Sequence, residues 1–187
     1  FSSGTSHSRF YIYNEGDNKF YTTGLNASSV FTPGKGYAIM APTGYTTTAT
    51  TDFPGKFVGV PTNGTKNVDN STLQFPLQVT DAPNRGFNMI GNPYPSNIDF
   101  EVLYALNSTK IYNTAYFWTN VNPNRPSSTN GNGDAYTGNA YAIYNGTGGV
   151  SSTIPVGAPN GGNAPTQFIK VGQGFIVKAR QGKNGKQ

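Results

Sequence analysis

The apolar stretches of this chain are short. Glycine, proline or asparagine interrupts them so often that almost none can close the three or four turns of an ordinary helix. What lies between the interruptions is aromatic and β-branched. Phe10-Tyr11-Ile12-Tyr13 and residues 36–40, 56–60, 72–79, 116–118, 140–144 and 175–179 have the length and residue types of strands. Within 72–79, Leu73, Phe75, Leu77 and Val79 recur at every second position, which gives one apolar face. The expected fold is all-β, an antiparallel β-sandwich with polar turns. At 187 residues the chain can bury a core without covalent staples, and it has no cysteine to form a disulfide or a thiolate metal site.

One segment has a different period. Residues 98–106 place Phe100, Leu103 and Leu106 at helical spacing, which predicts one short helix. Ser96 followed by Asp99 resembles a capping box, and Asp99 can itself be the cap.

The chain also repeats itself. FTPGKGYAIMA at 31–41 lines up with IKVGQGFIVKA at 169–179, so that Gly34 matches Gly172, Gly36 matches Gly174 and Tyr37 matches Phe175. Upstream, Tyr11-Ile12-Tyr13-Asn14 resembles Tyr116-Phe117-Trp118-Thr119, and a polar loop follows each. Two related halves are expected, 1–80 and 81–187, packed as one region of a larger protein, with longer loops in the second half. Residues 1–9 show no counterpart of the second half's opening, so the chain is expected to begin inside its first unit.

That opening is GFNMIGNPYPSNIDF, residues 86–100. Phe87 to Ile90 reads as a strand, and Gly91 as a position of unusual backbone angle. Asn92-Pro93 turns the chain out of the strand, and Pro95 stops its extension before Ser96 or Asp99 starts the helix. The corner of Gly91, Asn92, Pro93, Tyr94, Pro95 and Ser96 is expected to be structural, with Tyr94 packed on the sheet.

Charge excludes some partners. Charged residues are only 11% of the chain, against roughly 25% in an ordinary soluble domain. Of the net charge of +5, four positive charges (Lys178, Arg180, Lys183 and Lys186) lie in the last ten residues, which read as a solvated strand end. The remainder lacks the basic face that nucleic acid requires. No stretch approaches the roughly 20 apolar residues of a membrane span, so membrane insertion is not expected.

Catalytic constellations are poor. His7 is the only histidine, which disfavours a serine relay or a histidine metal site. Gly34-Lys35-Gly36 lacks the spacing of a phosphate loop and places a solvent-facing lysine in a turn. Glu15, Asp17, Asp99, Glu101 and Asp134 are carboxylates by type, but no spacing pairs them for glycoside hydrolysis, and Glu15 and Asp17 fall in a turn spanning 14–19. No cofactor is expected. The weak calcium candidate is Asn130-Gly131-Asn132-Gly133-Asp134, where Asp134 and Asn132 supply oxygen donors without a calcium-loop spacing. With 12 Tyr, 12 Phe and one Trp, the rings are the best candidate ligand surface. Trp118, Tyr116, Tyr136 and Tyr141 flank the loop 119–138 and could stack against sugars, or could replace leucine in the core.

GFNMIGNPYPSNIDF with its helix, FTPGKGYAIM and IKVGQGFIVKA resemble motifs of large extracellular Bacteroidetes surface proteins exported by the type IX secretion system. The resemblance extends over nearly the whole chain. It implies a secreted or cell-surface β-rich region; with no catalytic constellation among the residues, the expected role is not that of an enzyme but of a spacer, adhesion or presentation unit beside neighbouring domains of the same chain. A carbohydrate-binding module that meets glycans or surface proteins is the alternative, and an accessory part of a secreted hydrolase the third. Such regions accompany adhesins and enzymes alike, so kinship of this kind carries no activity with it.

Overall fold

The computed structural model describes residues 7–14, 18–22, 24–26, 28–39, 58–65, 86–118, 141–152 and 164–180. After a single turn at His7–Arg9 come β1 (Phe10–Asn14), β2 (Lys19–Thr22), β3 (Ala38–Ile39), β4 (Phe87–Gly91), β5 (Ile98–Asp99), α1 (Phe100–Asn107), β6 (Ile111–Trp118), β7 (Tyr141–Tyr144), β8 (Gly149–Val150), β9 (Phe168–Ile169) and β10 (Gly174–Ala179). The strands form antiparallel sheets in the orders β2-β1-β3, β4-β10-β6-β7-β8 and β5-β9. The fold is all-β, with one short α-helix among the described residues.

The two-residue period of β6 divides the five-stranded sheet. Ile111, Ala115 and Phe117 are buried on one face, while Tyr112 and Trp118 stand on the other. The buried face meets Phe100 of α1, Phe175 and Val177 of β10, Tyr144 of β7 and Ile169 of β9 in one cluster. Each large side chain withdrawn from water there contributes roughly 1.5–3 kcal/mol. Aromatic side chains do take the place of leucine in this core.

Asp99 caps α1, its carboxylate accepting from the Glu101 amide at 2.9 Å and the Val102 amide at 3.5 Å. Ser96 does not cap the helix. Its carbonyl instead receives the Asn92 side chain. Phe100 is fully buried, and Leu103 and Tyr104 pack on the same cluster. Leu106, expected on that face, is 79% exposed. Positions three and four residues after Phe100 return to its side of a helix, whereas the sixth is about a third of a turn away.

The repeat is visible in the register. Tyr11 pairs with Ala38, and their counterparts Tyr116 and Ile176 pair with each other. One step along, Phe10 pairs with Ile39 as Ala115 pairs with Val177. Both β1 and β6 then turn into hairpins, closing with Tyr13 opposite Phe20 and Trp118 opposite Tyr141. The described ends of the 14–19 turn pair as expected, Asn14 opposite Lys19, whereas Glu15 and Asp17 lie outside the described residues.

The paired Gly-x-Gly motifs behave alike. Lys35 donates its amide to the Thr32 carbonyl and Gln173 to Lys170, each at 3.1 Å, around Gly34 at φ 81° and Gly172 at φ 69°. These left-handed turns favour glycine. The second glycine of the first motif answers to crowding, since a Cβ on Gly36 would lie 2.9 Å from the Met89 carbonyl carbon, whereas one on Gly174 would press only on the flexible end of the same side chain, Met89 Cε, at 3.2 Å. Both motifs thus close on β4. Gly36 donates to Met89 and Gly91 to Gly34 along one edge, while β10 pairs along β4 on the other. A bridge between Lys35 and Ile90 links the three-stranded sheet to the five-stranded one.

Three local expectations are corrected. Gly91 does not adopt a left-handed angle. A Cβ there would meet the Lys35 carbonyl oxygen at 2.8 Å, so close approach of the neighbouring backbone requires the glycine. Lys35 is half-buried rather than solvent-facing, with its ammonium 5.9 Å from the Tyr37 ring. Val58 to Val60, the described part of the expected 56–60 strand, form no strand, and both valines are exposed. The half-buried Tyr94 donates its hydroxyl to the Gly64 carbonyl at 3.0 Å, which ties the corner to the 58–65 loop. The 72–79 strand lies outside the described residues.

The corner turns on Asn92, which is buried. Its carbonyl oxygen accepts from the Tyr94 amide at 2.9 Å, and its amide nitrogen donates to the carbonyls of Ser96 at 2.8 Å, Lys170 at 3.1 Å and Ile169 at 3.3 Å. Its own backbone amide reaches Gln173. One side chain therefore joins the corner to β9 and to the second Gly-x-Gly turn.

Candidate functional site

The face of β6 turned away from the core carries Tyr112, Tyr116 and Trp118 at every second or fourth position. Trp118 is 40% exposed. It meets Tyr141 edge-on at 5.1 Å between ring centres, and Phe20 of β2 at 6.2 Å. Phe20 in turn meets Tyr13 edge-on at 5.2 Å. The two hairpins therefore contribute equivalent ring pairs, Tyr13 with Phe20 and Trp118 with Tyr141, which touch through Phe20 and Trp118. Edge-to-face pairs of this kind add roughly 0.5–1.5 kcal/mol each beyond area burial.

Of the four aromatic candidates, the structure brings Trp118 and Tyr141 together. Tyr116 shares their face but turns its ring to Phe87, edge-on at 5.6 Å. Tyr136 lies outside the described residues, as do the calcium candidates Asp134 and Asn132.

Farther down the same face, cations lie over rings. The Lys178 ammonium stands 5.1 Å from the centre of Phe87. The Arg180 guanidinium stands 4.8 Å from the centre of Tyr112, and its Nε donates to the Ile111 carbonyl at 3.0 Å. Lys178 and Arg180 are half-buried on the sheet, which corrects the expectation of a solvated strand end. Lys183 and Lys186 are outside the described residues. Sequence reasoning missed Phe20, Phe87 and Tyr112. The alternation Tyr112, Tyr116, Trp118 was the signal available, but it emerges only when β6 is taken at its full eight residues.

Among the described residues the acids are Asp99 and Glu101, both at the start of α1. Asp99 caps the helix and accepts from the Gln167 side chain at 3.0 Å. Glu101 accepts from the Tyr144 hydroxyl. No group of three or more His, Cys, Asp or Glu gathers among the described residues, and no helix there is long and apolar enough to cross a membrane.

The hydrogen bond to Glu101, with burial and the nearby carboxylate charges, pushes the Tyr144 pKa from 10.0 up to about 12. Burial raises Tyr141 to about 12 and also raises Tyr116. A phenol whose folded pKa is raised keeps its stabilising effect below the unfolded value and loses it as pH rises through the folded one. The Tyr144 bond is therefore expected to be intact to about pH 10 and to be lost toward pH 12. Urea melts of the parent chain and of Tyr144→Phe should show a gap at pH 8 that narrows at pH 11.5. A gap independent of pH would remove the bond from the stability of the fold.

Fold and site together define an all-β module that carries an aromatic sheet face with two cations at one end. The chain belongs to a family described as a domain of unknown function (DUF8693), whose model matches residues 1–187. Comparison with curated proteins and with solved structures gives no match.

Proposed function

We propose that this chain is a non-catalytic module of a secreted or cell-surface protein, exported by the type IX route, that acts as a spacer, adhesion or presentation unit between neighbouring domains. The observation that carries this is the use of the distinctive residues in the architecture. Both Gly-x-Gly motifs close on β4, and the hairpin rings of the two halves interlock through Phe20 and Trp118. The domain division at 1–80 and 81–187 is part of the same proposal, supported by the matching registers. The weakly charged composition suits a surface that meets varied ionic conditions. Antibodies raised against the chain are expected to label intact cells of the source organism. Labelling only after permeabilisation would refute the proposal.

One observation favours carbohydrate binding as a second function. Trp118 leaves 40% of its surface open beside Tyr141 on a face lined by further rings. A spacer is expected to leave Trp118 emission unchanged across a panel of neutral oligosaccharides. A saturable shift, abolished in Tyr141→Ala, would establish the binding role instead.

A further inference from the structure

We propose that the lower part of the aromatic face, made by Phe87, Tyr112, Tyr116, Lys178 and Arg180, is a binding surface for a glycan bearing uronate groups. This deepens the adhesion role proposed above and rests on it. Register and contact place these residues on one side of the sheet: Lys178 is opposite Phe87 in β10 and β4, Tyr116 is opposite Ile176 in β6 and β10, and Arg180 stands over Tyr112 beyond a shift in the β10–β6 register. Cross-strand partners share a face. The core cluster and α1 lie on the other side.

The chemistry alternates in a way that matches a sugar acid. A pyranose offers an apolar C–H face to a ring, and a uronate adds a carboxylate at its rim. Tyr112 is 41% exposed. Arg180 is held in place beside it, since its Nε donates to the Ile111 carbonyl and its guanidinium carbon stands 4.8 Å from the centre of the ring. The terminal nitrogens of a guanidinium fixed in this way form a fork for bidentate carboxylate recognition, and prior ordering lowers the entropy lost on binding. Lys178 adds a second positive charge on the same face, over Phe87.

Charge complementarity supports an anionic partner. Among the described residues, the carboxylates Asp99 and Glu101 belong to the α1 side, where the helix cap and Tyr144 hold them. Lys178 and Arg180 thus act on their own face without a described acid to neutralise them. An acidic peptide would share the charge term, but it would not use the exposed ring of Tyr112 beside the guanidinium.

The test titrates the 187-residue chain by calorimetry at low salt. The probes are a uronate hexasaccharide, the neutral hexasaccharide of the same linkage, and oligoglutamate of equal charge. Saturable binding of the uronate is expected, at least tenfold tighter than either comparison ligand and weakened by added salt. Lys178→Gln with Arg180→Gln is expected to weaken it tenfold or more. Arg180→Lys, which keeps the charge and loses the fork, should weaken it severalfold, and so should Tyr112→Leu, with each variant's thermal melt confirming its fold. Equal binding of uronate and oligoglutamate, no uronate binding, or binding unchanged in the cation variants would overturn the proposal. Antibody labelling of intact cells reads the surface role separately, so a labelled surface with no uronate binding refutes this inference alone.

Discussion

Phe100→Ala is expected to destabilise the protein by about 3–5 kcal/mol, the usual cost of deleting a buried phenyl group. Phe100 is fully buried and touches Tyr144 and Phe175 edge-on, at 6.1 and 6.5 Å between ring centres. Its removal leaves a cavity where the helix, β7 and β10 meet, and three elements cannot all close on it at once. Leu106→Ala on the same helix is the control, because that side chain is 79% exposed and its loss should shift stability by about 0.5 kcal/mol or less. Urea melts of the three proteins measure both effects. Equal losses for Phe100→Ala and Leu106→Ala would show that α1 is not seated on the sheet as described.

Asn92→Ala is expected to cost about 2–4 kcal/mol, because removing one partner leaves buried polar groups unpaired. The carbonyls of Ser96, Ile169 and Lys170 and the amide of Tyr94 all bond to this side chain. Asn92→Asp separates the donor role from the acceptor role. It retains an acceptor for Tyr94 but turns a carboxylate toward three carbonyl oxygens, which raises its folded pKa. Its stability relative to the parent should therefore be best below about pH 3.9, the unfolded value, and should fall as pH rises through the folded one. Chemical melts at pH 3 and pH 7 decide this. A variant less stable at pH 3 than at pH 7, relative to the parent, would place the donors elsewhere.

Much of the scaffold was legible in the chain. The strand at Phe87–Gly91, the Asp99 cap and the correspondence of Gly34 with Gly172 depend on local chemistry, namely strand residues, a carboxylate before a helix and glycine where φ is left-handed. The misjudged positions depend on neighbours distant in sequence. Gly91 looked like a turn glycine until Lys35 was found against it. Val58 and Val60 have strand residue types but stand exposed in a stretch without strand pairing among the described residues.

The candidate site divides in the same way. Trp118 and Tyr141 are two of the four rings that the sequence places beside the loop 119–138, and the structure sets them opposite each other. Lys178 and Arg180 looked like a charged tail, since nothing near them in sequence shows the rings of Phe87 and Tyr112 beneath them. Those rings come from other strands.

By itself, then, the sequence determined the strand-rich class, the matching Gly-x-Gly turns, the short helix with its cap, and the exit of the chain from β4 at Asn92-Pro93. Each is written in contacts within about ten residues, or in a motif that occurs twice. Only the tertiary structure decided that both Gly-x-Gly motifs close on β4, that the hairpin rings interlock through Phe20 and Trp118, and that the cations lie over aromatic rings. Which strand edges meet is settled by packing across the whole chain, and a local pattern of side chains does not encode its distant partner.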